Sequence, residues 1–234
     1  MPRFLTTAVT LLLLALLLSL GRWQLHRAHD KQVLFDAFAA GTGTTRPLSA
    51  DDGPLPRYQH IEARGHYDGS RQVLIDNMVD HERPGYQVIT PFALEGGGWI
   101  LVNRGWIPPG ASRRELPPVP VSSAATTLRG RVAPLPVPGI RLGGAPPLAP
   151  PFPALATFPT ASEIHAAVGE QRWSAAGESV LLDAAEPEGF ARHWSPGEFP
   201  PVRHIGYAVQ WFGLALALAV IYLVTNFRQV AGRA

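Results

Sequence analysis

The chain has 234 residues, with 20 Lys and Arg against 18 Asp and Glu, and its net charge of +2 is too small to point to nucleic acid as a partner. Hydrophobic residues make up 46% and charged ones only 16%, the balance of a membrane protein with room for one folded domain of ~100–200 residues, while 24 prolines and 23 glycines predict turns and irregular segments. The absence of cysteine excludes disulfides, thiolate metal sites and cysteine nucleophiles.

Phe4 to Leu20 is an uncharged run of seventeen residues built around Leu11-Leu12-Leu13-Leu14. That is the lower end of the ~17–25 residues a membrane helix needs. A cleaved signal peptide is the rival reading. The run is followed, however, by the bulky, basic Gly21-Arg22-Trp23-Gln24-Leu25-His26-Arg27 and not by a small-x-small cleavage site. Trp23 suits the water–lipid boundary. An uncleaved transmembrane helix over residues 4–21 is expected, with Arg22 to Ala40 continuing it outwards. Leu34 with Phe38, and Val33 with Ala37, then share a face at a spacing of four. Gly41-Thr42-Gly43 ends that helix.

Strands follow. Ile61 to Tyr67 alternates apolar or small residues with polar ones, the pattern of a half-buried strand, and Val73 to Asp76 is a second, shorter candidate. Tyr86 to Leu94 and Trp99 to Trp106 flank Glu95-Gly96-Gly97-Gly98, a hairpin turn because glycine accepts positive φ. Leu128 to Val132 alternates as well. Eight prolines between Ala133 and Pro153 remove amide donors and predict an irregular loop. Thr160-Ala161-Ser162-Glu163 has the spacing of a capping box, opening a short helix that Gly169 closes. Val180 to Asp183 is the last strand.

A second uncharged span runs over residues 205–225 and includes Trp211 to Tyr222, with Arg228 and Arg233 after it. Arg3 on one flank and Arg228 with Arg233 on the other place both termini in the cytoplasm by the positive-inside rule. The expected fold is two transmembrane α-helices, N- and C-terminal, flanking an antiparallel β-rich α+β domain over residues 22–203. That domain lies outside the cytoplasm, and residues 226–234 form a cytoplasmic tail. The first span starts at residue 4 and leaves no room for a mitochondrial transit peptide, so a bacterial inner membrane with a periplasmic domain is expected.

Catalytic motifs are missing: there is no Gly-x-Ser-x-Gly elbow, His-Glu-x-x-His, phosphate loop or Gly-x-Gly-x-x-Gly, and an enzyme is not expected. His66-Tyr67-Asp68 and His81-Glu82 put metal-ligand types side by side but read as solvated pairs. Arg104 reads as a structural arginine at a strand end. His204, Tyr207 and Trp211 recur at i, i+3 and i+7 and share a face of the second span at its outer end. This face reads either as a boundary anchor or as an axial haem ligand among aromatic rings.

Three segments in this order resemble the SURF1 (Shy1) family of cytochrome c oxidase assembly factors. They are Gly21 to Arg27 with Lys31; Gly85-Tyr86-Gln87-Val88-Ile89-Thr90-Pro91-Phe92 followed by Leu101-Val102-Asn103-Arg104-Gly105-Trp106-Ile107-Pro108; and Arg203-His204-Ile205-Gly206-Tyr207-Ala208-Val209-Gln210-Trp211-Phe212. Arg64-Gly65-His66-Tyr67-Asp68 also fits the family's first strand. The resemblance implies a non-enzymatic helper that binds haem a and aids its insertion into the oxidase's catalytic subunit. It makes His204 the haem-iron ligand, with Tyr207, Trp211, Trp23 and Gln24 lining or supporting the site. Implied partners are the catalytic subunit, haem a synthase and membrane lipid. The alternative is a membrane-tethered scaffold that stabilises an assembly intermediate and binds no haem. The Pro-rich stretch 133–153 matches no family pattern.

Overall fold

The computed structural model describes residues 3–41, 44–110, 115–138, 147–170, 172–196 and 199–231. The chain forms two compact units: one takes in residues up to Asp36 together with those from Pro196 onwards, the other runs from Ala37 to Ser195.

The first unit is a helix pair. Helix α1 spans Arg3–Ala40 without a break, and α3 spans Pro201–Ala231. Pro201 opens α3 at a position where a missing N–H costs nothing, and the Arg203 amide donates to the Pro200 carbonyl at 3.1 Å. Both helices are long and apolar enough to cross a membrane. Their apolar windows are only 6% and 11% buried, the reverse of a core helix. The positions that are buried carry small residues seven apart, Gly21 and Ala28 on α1 and Ala208 and Ala215 on α3. Small residues let helix backbones approach closely where lipid removes the hydrophobic drive between helices. Gly21 is the tightest of them: a β-carbon there would come within 2.6 Å of the Phe212 ring.

The second unit is a mixed eight-stranded sheet with one short helix. The strands are β1 Arg46–Pro47, β2 His60–Tyr67, β3 Val73–Asp80, β4 Arg83–Leu94, β5 Trp99–Ile107, β6 Thr126–Ala133, β7 Ala154–Ala156 and β8 Ser179–Leu182, and helix α2 is Ala161–Val168. They pair in the order β1-β2-β6-β8-β5-β4-β3-β7. An additional β2–β4 pairing at Gly65–Tyr67 joins the middle of the sheet to itself, so β2, β6, β8, β5 and β4 close into a ring. Gly65 permits that closure, since a β-carbon there would lie 1.9 Å from the Ala93 carbonyl. The ring encloses the main core: Ile61, Tyr67, Phe92, Ile100, Leu128 and Val180 with their neighbours come from all five strands. A second cluster forms where Ile164 and Val168 of α2 pack with Val73, Ile75, Ile89 and Leu101.

The strands run as their alternation and turn residues predict. Leu94 and Gly98 close the β4–β5 hairpin with Gly97 and Gly98 at positive φ, and Thr160 and Glu163 form both arms of the capping box before Gly169 takes the left-handed conformation. The expectation of an antiparallel domain needs correction. Five of the pairings are antiparallel, but β1–β2, β3–β7 and β5–β8 are parallel. Parallel neighbours need a long crossover, and the chain between Ile107 and Ser179 supplies one for β5 and β8. Strand β3 runs four residues beyond the expected Asp76. Of the Pro-rich stretch, residues 139–146 lie outside the described residues, and the rest is irregular apart from Ala133 at the end of β6.

Candidate functional site

Arg104 is almost fully buried, at the centre of a polar network in the sheet unit. Its guanidinium donates to the Glu188 carbonyl at 2.5 Å, the Gln72 Oε1 at 2.9 Å and the Pro120 carbonyl at 2.7 Å, and it lies 4.9 Å from the Phe190 ring. Gln72 Oε1 also accepts from the Thr90 hydroxyl. Burial pushes the pKa of Arg104 down and that of neighbouring Tyr67 up, against the opposing pull of Arg104 on Tyr67. Each of the three guanidinium nitrogens donates to a group of the protein itself, so Arg104 is a structural hub.

The motif His66-Tyr67-Asp68 is divided by the strand. Tyr67 packs into the core against Phe92, His66 stays exposed beside Trp99, and Asp68 turns to Ser70 and Arg71. Arg71 in turn donates to the Val168 carbonyl at 2.7 Å, a cation capping the C-terminus of α2. An open cleft of about 580 Å³ on this unit is lined by Arg64, His66, Glu95 and Thr126 among others. Its charged lining does not suit an apolar macrocycle.

The helix pair holds a different kind of contact. His204 sits in the first turn of α3 and Gln24 about six turns along α1, 180 residues earlier in the chain. Their side chains meet: His204 Nδ1 and Gln24 Oε1 are 2.8 Å apart in a part-buried setting. An amide oxygen can only accept, so Nδ1 carries the proton and donates. In a neutral ring Nε2 then keeps its lone pair. A histidine whose second nitrogen is held by an oxygen acceptor is the usual arrangement of an imidazole metal ligand. Trp211, seven residues on, is half-buried on the same stripe as Ala208 and Ala215. Trp23 and Tyr207 lie on the outward sides of their helices, each about half exposed. His26 and His29 are exposed on α1.

A second polar contact lies at the far end of the pair. The Thr7 and Tyr222 hydroxyls are 2.7 Å apart. Thr7 and Gln24 are seventeen residues apart on α1, Tyr222 and His204 eighteen on α3. The helices are therefore antiparallel, and at ~1.5 Å per residue the two contacts bracket an apolar slab of about 26 Å.

His204 and Gln24 both fall inside the region that matches a known family: residues 11–216 match the SURF1 family. The chain belongs to the SURF1 family. Surfeit locus protein 1 of Xenopus tropicalis is 29% identical to it over 239 residues, covering 91% of this chain and 73% of that protein. An uncharacterised SURF1-like protein of Mycobacterium bovis is 27% identical over 187 residues, 76% of this chain and 64% of that one. A SURF1-like protein of Rickettsia bellii is 30% identical over 105 residues, 44% and 42% of the two chains. This SURF1 family member thus spans a little under two-thirds of its mycobacterial relative.

Resemblance and residue types together single out His204, but only the fold pairs it with Gln24. The signal for that pairing in the sequence is weak: an amide just past the end of one apolar run and an imidazole at the head of the other.

Proposed function

We propose that this SURF1 family member is a non-enzymatic assembly factor for a haem-copper cytochrome c oxidase, and that it carries haem a as cargo on His204. The observation that supports this reading is the Nδ1–H···Oε1 hydrogen bond from His204 to Gln24, which reserves Nε2 for iron. The donor set fits: a neutral imidazole at the edge of an apolar slab suits a pigment that is apolar apart from its propionates and carbonyl. His204 would hold the iron, Gln24 would fix the tautomer, and Trp211, Tyr207 and Trp23 would offer aromatic surface nearby. Arg22, Arg27 and Arg203, all exposed, are the cations available to propionates. A single axial imidazole leaves the cargo releasable, as handing it to the oxidase catalytic subunit requires, and haem a synthase is its natural donor.

The same reading puts α1 and α3 across a bacterial inner membrane, both termini cytoplasmic and the sheet unit periplasmic. The ~26 Å between the two polar contacts is close to the ~30 Å of a hydrocarbon core, which supports a reading with His204 and Gln24 at one boundary. Because the chain has no cysteine, a single Ser123→Cys in the exposed segment before β6 reports sidedness directly. An impermeant maleimide labels it in intact spheroplasts if the reading holds, and only after lysis if it does not.

The cargo is tested in a deletion strain complemented with the wild-type gene or His204→Ala at matched expression. Haem a and oxidase activity are measured per catalytic subunit. Wild type restoring both, with His204→Ala restoring neither, is the expected result. Equal rescue turns the protein into a scaffold that stabilises an assembly intermediate without touching haem.

A further inference from the structure

The sheet unit carries a second histidine constellation, at the tip of the β3–β4 hairpin. Asp80 ends β3 and pairs with Arg83 at the start of β4, so His81 and Glu82 are the two residues of the turn. Both have positive φ, 45° and 64°. A two-residue turn of this hand usually carries Asn-Gly, because left-handed backbone costs other residues about 1–2 kcal/mol each. Here that strained position presents an imidazole, and strain held without a local remedy is a pointer to function.

A second imidazole arrives from the other end of the unit. His193 Nδ1 lies 3.0 and 3.3 Å from the two Asp80 carboxylate oxygens, and His81 Nδ1 lies 3.1 Å from one of them. The two rings stand edge to face at 4.5 Å. His193 is held in place on both sides. Two residues before it, Ala191 exchanges backbone hydrogen bonds with Trp106, and one residue after it the Trp194 indole N–H donates to the Leu182 carbonyl. The Trp106 indole in turn donates to the Met78 carbonyl, two residues before Asp80. One tryptophan therefore fixes both arms of the cluster. The sequence reads His81 beside Glu82 as a solvated pair, whereas the fold joins His81 to Asp80 and His193.

We infer that Asp80, His81 and His193 form a surface site for a divalent transition-metal ion of the zinc and copper class, independent of His204. One donor atom from each residue falls within 4.8 Å of the others. In a tetrahedral site with bonds of about 2.0–2.2 Å the donors stand roughly 3.3–3.6 Å apart, so the contacts already at 3.0–3.3 Å need only small adjustment. Two imidazoles with one carboxylate select zinc, copper(II) or nickel over calcium and magnesium, which want oxygen ligands throughout. Both histidines are well exposed while Asp80 is mostly covered, so the ion sits on the surface with at least one position open to water.

The test uses the full chain in detergent, purified without a polyhistidine tag, stripped with chelator and titrated calorimetrically with zinc chloride. Wild type and the control His66→Ala should bind one equivalent. His81→Ala and His193→Ala should each weaken it by more than the roughly 10–100-fold that loss of an outer-shell partner costs. The double variant should lose the isotherm, and magnesium chloride should give none. A double variant that binds zinc as wild type does, or a wild type that binds it no better than the double variant, overturns the site. A second measurement needs no variant at all. Copper(II) bound to wild-type protein should show electron-spin coupling to two imidazole nitrogens, and a spectrum without nitrogen coupling also overturns it.

Discussion

The sheet unit turns its apolar side chains inward and the helix pair turns them out. In the sheet unit eleven buried residues from five strands fill a closed ring, and Arg104, a deeply buried charge, donates from each guanidinium nitrogen to a carbonyl or amide oxygen. In the helix pair the buried positions are glycine and alanine, while leucine and phenylalanine face outward. A polar contact therefore means different things in the two places. In the sheet unit it satisfies what folding has buried. On the helix pair, where the burden is light, a histidine held by an amide at one end of the apolar slab is free to do something else.

The largest effect that tests this contrast falls in the sheet unit. Replacing Arg104 with methionine removes the charge, taking the donor from the Glu188 and Pro120 carbonyls and one of two donors from Gln72 Oε1. Each buried polar group left without a partner costs about 1–3 kcal/mol. Arg104→Met should therefore lower the thermal unfolding midpoint of the full chain in detergent by many degrees, and a small shift would mean that the network carries little of the unit's stability.

In the helix pair the sensitive position is the smallest residue. Gly21→Leu drives a side chain into the Phe212 ring, and overpacking of that kind costs about 1–3 kcal/mol. Adding Phe212→Ala should return most of the loss, measured as resistance to unfolding by a harsh detergent. Failure of the second change to rescue the first would show that these two residues do not meet. At the other polar contact, Tyr222→Phe removes one hydroxyl, and hydrogen bonds between membrane helices average only ~0.6 kcal/mol. That variant should be almost indistinguishable from wild type in the same assay.

The smallest effect is a pH dependence confined to the sheet unit. His165 stacks on Trp173 at 3.9 Å, and burial lowers its pKa. The unfolded chain therefore takes up a proton there at higher pH than the folded chain does. Its contribution is fully present above the ordinary histidine value of about 6.5 and is lost as the pH falls from there through the folded-state value. The unfolding midpoint should drop slightly between pH 7.5 and 5.5, and His165→Gln should flatten that drop.

Local pattern made much of this architecture legible. Alternation in Ile61 to Tyr67, three glycines between two apolar runs, and a threonine three residues before a glutamate each dictate a strand, a hairpin and a helix start by short-range physics. Partner choice is not a local property. Nothing in Val180 to Leu182 says that it lies parallel to β5, and two- and three-residue strands such as β1 and β7 carry no period to read. The same limit governs the sites. His204 stands out by its place at the head of an apolar run and by resemblance, which also puts Gln24 at the site, while the hydrogen bond between the two is visible only where α1 and α3 bring them together. Asp80 and His193 are 113 residues apart and meet through a tryptophan that the sequence presents as one more strand residue.

The most direct measurement of the central claim is titration of the purified full chain in detergent with haem a, followed by its Soret band. Wild type should bind one equivalent with the spectrum of an imidazole-ligated iron, and His204→Ala should lose that signature. Gln24→Leu should keep it with affinity lowered by about 10–100-fold, as loss of an orienting partner does. An unchanged spectrum and affinity in His204→Ala would contradict the account, and would leave the hydrogen bond to Gln24 as a clasp between two helices and nothing more.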